Sequence, residues 1–281
     1  MIKQFPRTEV EGVSLPRLLI GSNWFAGFSH TGHAADMDIH ATNDTPEKVA
    51  KIYQAFSDYG IDAVMGGTSG GITGDSIKCF EDMTGKKLIR IDTPGINVDD
   101  SKQARAEAEA TIKNSAKSGA TFCFPHHSSA EQLVNKNKRT IDRLPDYLSM
   151  IRDNGMIPGL SAHMPELIMY SDANGYDVQT YIQIFNCMGF LMQIEIESII
   201  RIIHNAKKPV MTIKPMAAGR VTPYVGLTFN WNVLRPQDMI TVGCKTHWEA
   251  YEDVEISFAA LEGRLPDLEG RNSPNKTDII K

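Results

Sequence analysis

Short apolar runs alternate with helical stretches along almost the whole chain. The runs with strand character are RLLIGSN (17–23), IDAVMGG (61–67), KLIRIDTPG (87–95), TFCF (121–124), MIPGLSAH (156–163), YIQIFN (181–186), PVMTIKPM (209–216) and MITVGC (239–244). Helical spacing or composition marks residues 45–60, 101–119, 140–155, 195–207 and 247–263. A short apolar run bounded by turn residues is typical of a buried strand, and apolar residues three to four apart are typical of a helix.

The alternation predicts an α/β fold, a (β/α)8 TIM barrel, in a single domain over residues 1–281. Repeated strand–helix units favour a parallel sheet, and eight of them close most economically as a barrel. Residues 1–16 are expected to be an N-terminal extension and residues 264–281 a polar, extended tail. A doubly wound open sheet is the alternative, but the glycine-rich stretch 66–74 has neither of the usual phosphate-binding patterns.

Composition and charge exclude several kinds of protein. Apolar residues make up 42% of the chain and charged residues 22%, as in an ordinary globular protein. A net charge of −5 without a basic block disfavours nucleic-acid binding. No apolar run reaches the roughly 18 residues of a membrane span, and the start lacks the apolar core of a signal peptide. Four scattered cysteines predict reduced thiols, so we expect a cytoplasmic protein; the oligomeric state is left open.

Polar residues stand at the predicted strand ends, where barrel enzymes carry their active sites. Those expected to be catalytic are His126, Asp92, Lys214 and His163. Those expected to bind substrate are Asn23, His127, Gln183, Asn186 and Lys245. For Asn23, Asn186 and the nearby Ser161, a satisfied polar side chain or a helix cap is the simpler interpretation. Several titratable groups converging on one mouth nevertheless favour a catalytic site.

The paired histidines that follow TFCFP are the most distinctive of these residues. Adjacent residues on a strand point to opposite sides, so only one imidazole should face the barrel mouth. We expect it to be His126, with Asp92 on one side, His163 on the other and Lys214 across the barrel. His126 would then act as an acid/base group or as a metal ligand.

Lys214 lies in the apolar run VMTIKPM. Burial disfavours the charged ammonium and lowers its pKa, which suits Schiff-base chemistry or proton transfer. The alternative is an ammonium paired with a carboxylate, for which Asp92 is a candidate.

The stretch FSHTGHAADMDIHATND (28–44) should form a long loop over the mouth. It holds five residues of metal-binding type, namely His30, His33, Asp36, Asp38 and His40. Their spacing matches no zinc or calcium motif. A lid or a wall of the substrate pocket is the better prediction.

The chain resembles the aldo-keto reductase fold family over nearly its whole length. LPRLLIGSNWFAG is similar to the family's first strand, FCFPHHSS to the strand that carries its catalytic histidine, and PVMTIKPMAAGR to its seventh unit. Of the family's Asp–Tyr–Lys–His tetrad, only the histidine carries over, at His126 or His127. The aspartate falls on Met65, the tyrosine near Gly70 and the lysine on Pro94, after Thr93.

The nicotinamide-binding positions of that family are only partly present. Ser161 and Gln183 match, but Ala162 stands where the family has an asparagine. The phosphate-binding stretch is matched loosely by Gly243, Lys245 and Thr246. The resemblance therefore implies the barrel fold but not the hydride-transfer chemistry, and NAD(P) is less expected than a divalent metal.

These residues fit four functions. The favoured one is an enzyme of lyase or isomerase type that acts on a small carbonyl or polyhydroxylated, sugar-like substrate. His126 would be the acid/base group, with Asp92 or His163 as its partner, and Lys214 the electrophile or base. The alternatives are a divergent NAD(P)H-dependent reductase, a metal-dependent enzyme using Asp92, His126 and His163, and a non-catalytic binding protein.

Overall fold

The computed structural model describes residues 2–268. Its strands are β1 (Arg7–Val10), β2 (Val13–Pro16), β3 (Leu18–Gly21), β4 (Ala63–Gly66), β5 (Ile89–Asp92), β6 (Phe122–Cys123), β7 (Val134–Asn135), β8 (Thr140–Ile141), β9 (Ile157–Pro158), β10 (Leu160–Ala162), β11 (Tyr181–Ile184), β12 (Val210–Ile213) and β13 (Met239–Val242). Its α-helices are α1 (Asn23–Ala26), α2 (His33–Thr42), α3 (Pro46–Ser57), α4 (Gly71–Thr84), α5 (Lys102–Lys117), α6 (His127–Ala130), α7 (Leu144–Asp153), α8 (Glu166–Asn174), α9 (Ile196–Asn205), α10 (Pro223–Val233) and α11 (His247–Glu262). A 3-10 turn covers Glu131–Leu133.

Nine parallel strand segments form the barrel, in the order β10-β11-β12-β13-β3-β4-β5-β6-β9. The two end segments, β9 and β10, are halves of one strand that is interrupted at Gly159. Gly159 is required there because a Cβ atom would lie 2.3 Å from the ring of Phe124. Eight strands therefore enclose the barrel, which confirms the predicted TIM-barrel fold.

Alternate strand residues face the interior, as the period of a strand requires. The side chains of the inner layer are Leu19, Ala63, Met65, Ile91, Phe122, Phe124, Ile182, Met211 and Met239. Their neighbours along the strands pack outward against the helices, and these include Leu18, Ile20, Val64, Cys123, Tyr181, Val210 and Ile240. This alternation decides which residues can reach the mouth.

The segment predicted as an N-terminal extension forms a hairpin. Strands β1 and β2 pair antiparallel, and Val10 and Leu15 are buried with the inner layer of the barrel. Arg152, at the end of α7, binds Glu11 in the hairpin turn with an N–O distance of 2.6 Å. The hairpin therefore closes the N-terminal end of the barrel.

The helix boundaries follow local chemistry. Helix α3 begins at Pro46, directly after Thr45 as predicted, but it ends at Ser57 before the expected stop at Gly60. Helix α11 begins with a capping box between Thr246 and Glu249. Among residues 2–268, no helix combines the length and the apolar character needed to cross a bilayer.

The predicted C-terminal tail lies partly outside the described residues. Arg264 binds Glu255 on α11 at 2.6 Å, and residues up to 268 are described. The four cysteines are free thiols, as expected.

Candidate active site

A cavity of about 620 Å³ opens at the C-terminal ends of the barrel strands. The predicted site residues that line it are Asn23, His126, His127, Ser161, His163 and Lys214. Asp92, Gln183, Asn186 and Lys245 do not line it. The structure thus brings together most of the predicted site, but it leaves out the predicted carboxylate.

Both adjacent histidines face this cavity. Strand β6 ends at Cys123, and His126 is already the N-cap of the short helix α6. The Nδ1 atom of His126 lies 2.8 Å from the Ser128 hydroxyl. The centroids of the His126 and His127 rings are 4.1 Å apart. The expectation that only one ring could face the mouth was wrong, because the chain has left the strand before it reaches the pair.

Glu131 joins the two histidine-bearing strand ends. One of its carboxylate oxygens accepts hydrogen bonds from the backbone N–H groups of His163, at 2.5 Å, and Met164, at 2.9 Å. The other oxygen lies 3.9 Å from Nδ1 of His127, one helical turn earlier. The rings of His127 and His163 stack at 3.7 Å with 20° between their planes. Glu131 therefore links the two chain segments whose imidazoles stack at one wall of the cavity.

His126 and His163 are poor proton acceptors. Burial, followed by the nearby His127 and Lys214, lowers the pKa of His126 to about 4. The pKa of His163 falls to about 3, mainly through burial and then through His127 and Lys214. Both rings are thus neutral at pH 7. The pKa of Glu131 stays below its usual value, because hydrogen bonds to the carboxylate outweigh its burial.

Lys214 brings an amine to the same cavity. The side chain of Ile213 faces inward, so an extended continuation of β12 would send Lys214 outward. Lys214 instead has φ of +60°, and it lines the cavity. Burial lowers its pKa from 10.5 to about 8. Within residues 2–268, no carboxylate or hydrogen-bond partner of the ammonium is found, so the suggested pairing with Asp92 does not form.

Asp92 is a structural carboxylate in this fold. Its neighbour Ile91 belongs to the inner layer, so Asp92 points outward and is fully buried. It accepts hydrogen bonds from the backbone N–H and the hydroxyl of Thr68, at 2.7 and 3.0 Å, and from Ser115 on α5 at 2.5 Å. The expectation that Asp92 partners His126 was therefore wrong, and strand alternation is the reason.

The same alternation removes Gln183 from the cavity. Ile182 points inward, and Gln183 is buried with its amide near the carbonyl oxygens of His163 and Ile184. Asn186 is also buried, and its side chain accepts hydrogen bonds from the backbone of Met188 and Phe190 in a closed turn. Neither side chain is placed to bind substrate.

Lys245 is occupied by an ion pair. Its ammonium lies 2.5 Å from Asp38 on α2. This contact fastens the segment 28–44 to the end of β13. The predicted substrate contact of Lys245 is therefore replaced by a structural one.

The segment 28–44 is partly helical rather than a loop. Its residues 33–42 form α2, while His30 lines the cavity. Asp36 accepts hydrogen bonds from the backbone and the hydroxyl of Ser29 at 2.8 and 2.6 Å, and is thus engaged locally. Arg220 donates to the carbonyl of His30 at 3.4 Å and stacks on Phe190. Of the five residues of metal-binding type in this segment, His30 lines the cavity and His33, Asp36, Asp38 and His40 do not.

The predicted metal-binding set is not assembled, because Asp92 faces away from His126 and His163. The group that could hold an ion in the described part of the chain is His127, Glu131 and His163, whose ligand atoms lie within 4.8 Å of one another. Sequence reasoning missed Glu131. The four-residue spacing between His127 and Glu131 was the available signal, but it has meaning only if the segment is helical.

Comparison with solved structures identifies the same kind of barrel. A Pseudomonas aeruginosa protein assigned to the aldo-keto reductases has a TM-score of 0.67 at 14% identity, over 93% of this chain and 98% of that one. Aldose reductase from Giardia lamblia has a TM-score of 0.51 at 12% identity, over 90% and 89%. Orotidine 5'-monophosphate decarboxylase from Methanocaldococcus jannaschii has a TM-score of 0.51 at 15% identity, over 88% and 97%.

These similarities confirm the distant resemblance to the aldo-keto reductase fold. At such low identity they describe the barrel and not the chemistry. No protein-family model matches the chain, and no curated protein matches it significantly.

Proposed function

We propose that this chain is an enzyme of lyase or isomerase type that acts on a small carbonyl or sugar-like substrate through an imine on Lys214. The observation that supports this most strongly is the Lys214 amine itself. It lines the cavity, burial lowers its pKa to about 8, and no partner holds it among the described residues. An amine of this kind is partly neutral near pH 7 and can attack a carbonyl carbon.

The chemistry balances without an oxidant or a reductant. The lone pair of the Lys214 nitrogen forms a C–N bond as the carbonyl π bond breaks, and one proton passes from the nitrogen to the carbonyl oxygen. A second proton, supplied by an acid, lets that oxygen leave as water, and the nitrogen lone pair then forms the protonated imine. The imine can accept the electron pair of an adjacent C–C or C–H bond as that bond breaks.

His126 is proposed to exchange a proton with the substrate oxygen. It lines the same cavity, and its Nδ1 atom is engaged by the Ser128 hydroxyl. This leaves Nε2 as the nitrogen available for proton exchange. Its pKa is lowered to about 4, so the neutral ring is a weak base and the protonated ring a strong acid, which suits donation of a proton to the substrate oxygen.

Reductive trapping tests the proposal. The protein is incubated with glyceraldehyde, dihydroxyacetone or pyruvate in the presence of cyanoborohydride, and the modified residue is located by mass spectrometry. We expect one adduct per chain, on Lys214, with a yield that rises as the pH approaches about 8.

Two variants make the result decisive. Lys214→Met should abolish the adduct. Lys245→Met should leave it unchanged, because Lys245 lies near the same mouth but is paired with Asp38. Label spread evenly over exposed lysines, or an equal yield from Lys214→Met, would contradict the proposal.

A further inference from the structure

Three side chains at the cavity wall have donor atoms of the kind that transition metals bind. His127 and Glu131 lie one helical turn apart, and His163 follows the neighbouring strand β10. Their ligand atoms all lie within 4.8 Å of one another. Two imidazoles and one carboxylate suit Zn²⁺ or Fe²⁺, whereas Mg²⁺ and Ca²⁺ prefer oxygen donors alone.

The carboxylate of this group is held in place by the backbone. One oxygen of Glu131 accepts the N–H groups of His163 and Met164, so the other oxygen is directed by the fold and lies 3.9 Å from His127. Hydrogen bonds to a ligating carboxylate are a usual feature of metal sites. The side chains of His127 and Glu131 are 28% and 20% exposed, so the group is partly shielded from water while His127 and His163 still border the cavity.

The distances are close to those of a bound ion. Metal–donor distances of about 2.0–2.2 Å place neighbouring donors roughly 3–4 Å apart. The largest of the present separations, up to 4.8 Å, exceeds this range by roughly 1–2 Å. Turning the two rings out of their 3.7 Å stack would supply the difference.

We infer that His127, Glu131 and His163 form a binding site for one divalent first-row transition-metal ion. Three protein ligands leave at least one coordination position for water or a substrate oxygen. The site differs from the set that sequence reasoning suggested, since Glu131 replaces Asp92 and His127 replaces His126. It does not depend on imine chemistry at Lys214, because none of the three ligands is needed for that step.

Metal titration tests this inference. Chelator-treated full-length protein is titrated with Zn²⁺ by calorimetry and with Co²⁺ by visible absorption. We expect one ion per chain and the absorption of a low-coordinate Co²⁺ site. His127→Ala, His163→Ala and Glu131→Gln should each weaken binding by at least about 10–100-fold, because each removes a direct ligand. Glu131→Gln keeps an oxygen for the two backbone N–H groups, so it preserves that contact.

Matched controls separate this site from its neighbours. His126→Asn keeps an N-cap acceptor on α6 and should bind metal like the wild type. His33→Ala tests the segment 28–44, and Lys214→Met tests independence from the imine. Failure of the wild type to take up either ion, or unchanged binding by both His127→Ala and His163→Ala, would overturn the inference. Loss of binding in His33→Ala would also overturn it, because the ion would then lie elsewhere.

Discussion

Lys214 reaches the cavity because of one backbone torsion. The residue before it faces inward, and only the positive φ of Lys214 turns the next side chain to the same side. A non-glycine residue in the left-handed region is uncommon and is tolerated where surrounding structure holds it. The fold thus holds Lys214 in an unfavourable backbone conformation, at a position where burial also disfavours the charged ammonium.

This burial predicts that Lys214→Met stabilises the protein below pH 8. Below that pH, Lys214 is protonated in both the folded and the unfolded chain, and the folded chain alone bears the cost of burying the charge. The lowering of its pKa from 10.5 to about 8 sets an upper bound of roughly 3 kcal/mol, so we expect a gain of about 1–3 kcal/mol in the free energy of unfolding.

The stability advantage of Lys214→Met over the wild type should disappear as the pH rises. Between pH 8 and 10.5 the unfolded chain binds more protons at this residue, so wild-type stability rises relative to the variant. Urea denaturation at pH 6.5 and pH 9.5 measures the difference. Lys51→Met, at an exposed position of α3, serves as the control and should show no such trend. An equal stability difference at both pH values would refute the assignment of a buried ammonium.

At the level of elements, the strand ends explain which site residues could be predicted. Apolar runs located each strand. Ser161 is an inward-facing residue of β10, and Asn23, His126 and His163 line the cavity from just beyond the strand ends. Asp92 and Gln183 each follow an inward-facing strand residue, so their side chains face outward toward the helices. The sequence alone did not show which residues of each strand face inward, because the runs are apolar on both faces, as is usual for parallel strands.

The length of β6 could not be predicted either. Its two residues are followed by Pro125 and the N-cap of α6, so the paired histidines lie at the start of a helix. Whether a chain leaves a strand two residues earlier depends on tertiary packing, here on Phe124 against Gly159. This is why Glu131 remained undetected.

The β1–β2 hairpin should contribute strongly to stability. Leu15 is fully buried in the inner layer of the barrel, so Leu15→Ala removes buried apolar volume where the surroundings are close-packed. We expect a loss of about 2–5 kcal/mol in the free energy of unfolding, measured by denaturant titration. Glu9→Ala, at an exposed position of the same hairpin, should change it by less than about 0.5 kcal/mol. Similar values for the two variants would show that the hairpin is not part of the core.

At the scale of the whole molecule, the barrel could be predicted from eight strand–helix units, while the chemistry could not. The resemblance to aldo-keto reductases extends over the chain, yet Met65 and Ala162 replace side chains which that family uses. Met65 lines the cavity, and Ala162 is buried among outward-facing residues. The shared fold therefore does not by itself assign a function to this chain.

We expect this molecule to bind NADPH and NADH only weakly. Lys245, the lysine of the loosely matched phosphate-binding stretch, is paired with Asp38. The indole of Trp24 covers Gly243 so closely that a Cβ atom there would lie 2.8 Å from it. Quenching of tryptophan fluorescence during nucleotide titration measures the affinity, and an established aldo-keto reductase run in parallel validates the assay. A micromolar dissociation constant would contradict this expectation and favour a reductase.

The β1–β2 hairpin at the N-terminal end of the barrel also limits how a substrate can enter and a product can leave the cavity. Because Val10 and Leu15 fill that end, a molecule that enters the cavity at the C-terminal ends of the strands has to leave at the same end. The cavity is therefore open at the C-terminal end of the barrel and closed at the N-terminal end. A reaction that splits one molecule into two must therefore discharge the fragments one after the other, and the fragment nearer the opening departs first.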